Sequence, residues 1–150
     1  MRKTITLASL ILASCLNVYL PKTGLRDSEG QEIVFAAKKN NSGGASATYS
    51  DNRPTVFYDP WYMAQFPEEF QNFIFHHEIG HIILGHVSVE HKYVPENTHN
   101  QIQHEADCFS MRFLEEQLRY TSEQIEKVYG TAAKVFGEKR AEEMRSCLYP

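Results

Sequence analysis

The residues best suited to do chemistry stand within five positions of one another: His77, Glu78 and His81. On a helix, side chains at i and i+4 lie on one face, so both imidazoles can reach one ion. Imidazole nitrogen is a common zinc ligand. Glu78 would lie at the rim of such a site, placed to take a proton from water on the metal and hand it to a leaving amine. Zinc lowers the pKa of its water from about 15.7 to about 7, so hydroxide exists near neutrality. The spacing therefore points to peptide-bond hydrolysis, with Zn2+ as cofactor and a peptide or protein as substrate.

The flanking residues Phe73, Ile74, Phe75, Ile79, Ile82, Ile83 and Leu84 make the surrounding helix a buried one. A buried His pair without a ligand is costly, which favours a metal between them. Proline at Pro67 followed by Glu68 and Glu69 suits a first turn, and Gly85 falls near the end. The helix is expected from Pro67 to about His86.

The stretch from Phe75 to His86 looks like the active helix of gluzincin-type peptidases. The nearest likenesses are the ImmA/IrrE family and the HtpX-like and CAAX-protease-like membrane peptidases. The resemblance covers about residues 53–118, with a strand at Thr55–Asp59 before the helix and Ala106-Asp107-Cys108-Phe109 after it. It implies a zincin-like minimal domain. In that family the third ligand is a Glu four residues before the Asp. Here that position holds Gln103, a poor zinc ligand. A metzincin pattern fails, because its third His would fall at Val87.

The helix expected at Thr98–Arg119 must supply the third ligand. At about 100° per residue, its apolar side chains place a buried arc near Gln103, Asp107 and Ser110. Glu105 faces outward, and His104 lies at the edge of the arc. His104 and Glu105 stand as alternative third ligands, with Gln103 and His99 behind them. Asp107 reads as an acceptor that orients a ligating His, or else as a helix-surface carboxylate. His86 either supports the site or sits at a helix end against its dipole. His76 points away from the pair and is structural. His91 and His99 lie in or near a loop.

Further elements complete an α+β fold: a small sheet with an edge strand, packed on a bundle of helices. Glu32–Lys38 is a strand candidate. Asn40–Ser50 reads as a Gly/Ser/Asn loop. Pro54–Asp59, between two prolines, reads as an edge strand, able to hold an extended peptide by β-augmentation. Trp61, Tyr62 and Phe66 have helical spacing and suit a core. Thr121 and Gln124 form a capping box for a helix at 122–136. A last helix at 138–148 carries Glu138, Lys139, Arg140, Glu142, Glu143 and Arg145, which look like a solvated face.

A chain of 150 residues, 42% hydrophobic, suits one domain with a real core. Net charge is −4 with no basic stripe, which argues against nucleic acid as a partner. Arg2 and Lys3, the apolar run Ile5–Ala13 and Leu12-Ala13-Ser14-Cys15 read as an export signal. The last four residues resemble a bacterial lipobox, which implies lipidation of Cys15 and a membrane anchor. Leu16 after the Cys, where no Asp stands, suggests the outer membrane, facing the periplasm. The expected organisation is a signal peptide at 1–14, a tether at 15–30 and a metallopeptidase-like domain at 31–150. Cys108 and Cys147 either pair or stay reduced. The rival to an enzyme is an envelope lipoprotein that keeps zinc and has lost turnover, a reading favoured by Gln103.

Overall fold

The computed structural model describes residues 16–149, apart from 23, 42 and 88–95. The signal segment, Cys15 and His91 lie outside the described residues. The fold is α+β: β1 (Val34–Ala37), β2 (Ala45–Ser50), β3 (Arg53–Tyr58), α1 (Pro60–Met63), α2 (Glu68–Ile83), α3 (Glu96–Glu116), α4 (Ser122–Phe136) and α5 (Glu138–Arg145).

The sheet corrects two expectations. The strand ending at Asp59 is not an edge: β3 lies in the middle, parallel to β1 and antiparallel to β2. Pro54 is tolerated there because pairing with β1 begins only at Thr55, so the proline is paired on the β2 side alone. The second correction is β2, formed from the latter half of the segment read as a loop. Asp51 and Asn52, with φ of 50° and 61°, make the two-residue turn that joins β2 to β3. Two positive φ values match the right-handed twist of a hairpin, and Asp and Asn tolerate them. Gly44 just ahead has φ of 86°, and a Cβ there would overlap the Tyr62 ring.

α2 runs through the centre. Its apolar residues surround it, as expected of a helix buried on every face. Phe70, Phe73, Phe75, Ile79 and Ile82 are all buried. Each contributes about 1.5–3 kcal/mol relative to exposure. The sheet covers one side, where Phe75 meets Phe35 and Tyr58 edge-on at 5.7 and 5.5 Å. α3 and α4 cover the others. α3 approaches closely at Gly80, where a Cβ would lie 2.9 Å from Phe109 Cδ1. Ser110 Oγ donates to the Phe73 carbonyl across this contact at 2.8 Å.

α4 spans the expected residues and makes both capping-box bonds at Thr121 and Gln124. α3 begins and ends slightly earlier than expected, and α5 stops at Arg145. Cys108 and Cys147 form a disulfide that ties α3 to the turn after α5, with a sequence separation of 39. Trp61 departs from the core reading and is 52% exposed, while Tyr62 packs on Phe66 and Phe66 on Phe70.

Packing reaches ahead of the boundary expected at residue 31. The buried Gln71 side chain accepts from Tyr19 N and donates to the Asn17 carbonyl, so this part of the segment read as a tether lies against α2. Among the described residues no helix is long and apolar enough to cross a membrane.

Candidate metal centre

The i,i+4 spacing on α2 does what helix geometry requires. His77 Nε2 and His81 Nε2 converge to 3.0 Å, both rings buried. The third side chain that the fold brings to them is Gln103, from α3. Its Oε1 lies 3.1 Å from His77 Nε2 and its Nε2 lies 3.3 Å from His81 Nε2. This is the position at which the resemblance implied a Glu.

Neither favoured third ligand reaches the pair. His104, one residue further round α3, is exposed and lies 3.6 Å from Cys108 Sγ. Glu105 also faces outward, where it contacts His86 Nε2 and accepts from Gln101, each at 2.9 Å. The physical reason is the angle of α3. Its buried line runs through Gln103, Ala106, Asp107 and Ser110, and the better ligand types stand one step off that line. His99 is exposed but lines the cleft with Ala45, Ala47, Glu78, His81 and Gln103, a cavity of about 260 Å³.

Asp107 stands where an orienting acceptor should. Its Oδ1 is 2.7 Å from His77 Nδ1, at an angle poor for a hydrogen bond. Arg140 of α5 grips the same carboxylate with two bonds, from Nε and Nη2, each 2.9 Å. Burial acts to raise the Asp107 carboxyl, but the His77 and Arg140 contacts outweigh it, and the net direction is down. Arg140 corrects the expectation of a solvated face on α5. Its guanidinium also lies 4.2 Å from the centre of the Phe136 ring. The one sequence signal for it is position: it borders the buried pair Ala141 and Met144.

His86 reaches His81 through a turn that Gly85 makes possible. His86 N donates to the His81 carbonyl and Gly85 N to the Ile82 carbonyl, a Schellman ending to α2. Gly85 takes φ of 74° there. The turn brings His86 Nδ1 to 3.1 Å from His81 Nδ1, so Glu105 reaches the centre only through His86. His76, as expected, is structural: it is buried, contacts the Asn72 carbonyl through Nδ1 and stacks on Phe113.

The electrostatics suit a cation. Burial, with His77 and His86 adjacent, pushes His81 down to about 3, so its ring is neutral at physiological pH with a lone pair to give. Burial raises the Glu78 carboxyl, partly offset by His77 and by the Ala47 backbone N–H. Two imidazoles and an amide oxygen meeting in a buried pocket fit a divalent ion such as zinc, although Gln is a weaker donor than the carboxylate usual in zinc sites. Glu78 lies with His77, Gln103 and Arg140 around an adjoining cavity of about 180 Å³.

β2 forms the wall that the sequence left unread. Ala47 binds Glu78 through its backbone, on the edge of β2 away from β3. Compared with protein-family models, curated proteins and solved structures, the chain matches none.

Proposed function

We propose that this protein is a zinc-dependent peptidase of the gluzincin type. The observation that carries the reading is the convergence of His77 and His81 Nε2 beside Glu78, within a cleft walled by a sheet edge. His77, His81 and Gln103 would hold the ion. When bound, zinc supplies Lewis acidity and a water with pKa near about 7.

The chain's own groups support the remaining work. Glu78 is the general base and acid. Its raised carboxyl moves toward neutrality, where a proton-transfer group works best. Asp107, gripped by Arg140, sets a carboxylate beside the His77 ring and would orient it. Because β3 is paired on both sides, the β-augmentation expected of it passes to β2. The outer edge of β2 can pair with an extended substrate and lay its backbone across Glu78. The apolar run Ile5–Ala13 and the Leu-Ala-Ser-Cys motif support export and anchoring through Cys15 on the outer membrane.

A second reading, a zinc-binding envelope lipoprotein without turnover, is favoured by the neutral Gln103. One experiment separates the two. Full-length protein and its Glu78→Gln variant are incubated with zinc and a mixture of short unstructured peptides, and products are read by mass spectrometry. The peptidase reading expects cleavage by the wild type and a loss of about 100-fold or more in the variant, with zinc content unchanged. Cleavage by neither protein, with zinc retained by both, supports the binding module. Absence of stoichiometric zinc from the wild type overturns both.

A further inference from the structure

One of the two side chains expected to complete the first centre, His104, belongs to another group of donors. A ring nitrogen of His104, Cys108 Sγ and Cys147 Sγ all lie within 4.8 Å of one another. His104 and Cys108 are at i and i+4 on the outer face of α3, and Cys147 comes from the turn after α5. We propose that these three residues form a second metal site, closed while the Cys108–Cys147 disulfide is intact and opened by its reduction, for a thiophilic ion such as Zn2+.

The donor set is the first reason. Two thiolates and an imidazole make a frequent zinc set that leaves a fourth position open. Soft sulfur ligands also select zinc over magnesium or calcium. Distance is the second. A tetrahedral ion with bonds of about 2.0 Å to nitrogen and about 2.3 Å to sulfur holds N and S about 3.5 Å apart. His104 Nε2 already stands 3.6 Å from Cys108 Sγ. Access is the third. His104 is exposed, and with Cys108, Phe109 and Arg112 it lines an open cavity of about 490 Å³, through which a small reductant and an ion can enter.

The chemistry balances. A dithiol reductant gives two electrons and two protons to the disulfide and becomes a disulfide itself, leaving two Cys thiols. The incoming ion then displaces both thiol protons, because the thiolate is the ligand. The bound ion would replace one cross-link between α3 and the end of α5 with another, and so keep Arg140 on Asp107. The proposal stands apart from the peptidase reading, since it uses none of His77, Glu78 or His81.

The test uses purified full-length protein under anaerobic conditions. Oxidised protein, and protein reduced by a dithiol that is then removed, are each titrated with Co2+ and with Zn2+. The reduced form is expected to bind one more equivalent than the oxidised form and to show thiolate-to-cobalt charge-transfer absorption. Zn2+ should protect both thiols from alkylation and raise the Tm of the reduced form more than that of the oxidised form. His104→Ala should weaken the extra site about tenfold or more while the disulfide still forms, a lower bound taken from the effect of losing a metal-supporting contact. Equal metal counts in the two forms, absent charge transfer, or wild-type affinity in His104→Ala overturns the proposal. So does a reduced chain that stays unfolded when Zn2+ is added. Because reduced wild type is itself the main sample, the result does not depend on a cysteine variant folding.

Discussion

Gln103 and His104 are neighbours in sequence and occupy opposite environments. Gln103, with Asp107 one turn on, faces inward between α2 and α5, among buried groups joined by non-covalent contacts. His104, with Cys108 one turn on, faces outward onto an open cavity, where a covalent bond closes the cluster. A rotation of about 100° along the helix separates the two sets. The difference teaches that residue type does not choose the partner. The best ligand types on α3 face away from the histidine pair, and the weakest faces it, because the packing of α2 and α5 decides which side of α3 is inside.

The largest effect expected from breaking the inner set is at Asp107. Asp107→Ala leaves Arg140 without its acceptor and His77 without the carboxylate beside it, at a cost of about 3–5 kcal/mol by chemical denaturation. It should also weaken metal binding about 10–100-fold. The pH dependence has a definite sign. The folded Asp107 carboxyl lies below its ordinary value of 3.8, so its contribution is complete above that value. It is lost as pH falls through the folded value, and the variant's stability should show a weaker acid limb.

Gln103→Glu sharpens the contrast from the other direction. Supplying a carboxylate should tighten zinc binding about tenfold or more, a change measurable by chelator competition. His104→Ala, in oxidised protein, should leave that affinity unchanged. A loss of zinc affinity at the histidine pair in His104→Ala would mean that α3 does not hold the orientation described.

Smaller effects are expected at the C-terminal end of α2. Gly85→Ala forces an alanine into a left-handed conformation, at about 1–2 kcal/mol, and should disturb His86, with a shift visible in the His86 NMR resonances. Glu105→Ala removes an exposed contact to His86 and should change stability by less than about 1 kcal/mol. A larger loss would mean that the outer face of α3 does more for the centre than its exposure implies.

Much of the fold was legible where the pattern was local. α4 was readable from its capping box, and α2 from its apolar run and from Gly85. β2 is not legible, because its Ala, Ser and Thr residues follow a Gly-rich turn and look like more of the same loop. The Asp51-Asn52 pair was the signal that could have revealed the hairpin. β3 reads as an edge in sequence because Pro54 and Pro60 bracket it. Pro54 in fact precedes the β1 ladder, and Pro60 opens α1 beyond Asp59, whose side chain caps it.

The sequence by itself determined that His77 and His81 share a face with Glu78 beside them, because a spacing of four on a helix admits no other outcome. It also determined that Asp107 lies on the inner line of α3, since the apolar residues of that helix define the line. Tertiary structure alone decided which side chain meets the histidine pair, that Arg140 grips Asp107, that β2 walls the cleft, and that Cys108 bonds Cys147. These join residues far apart in the chain, and their geometry depends on how whole elements pack, which no local periodicity encodes.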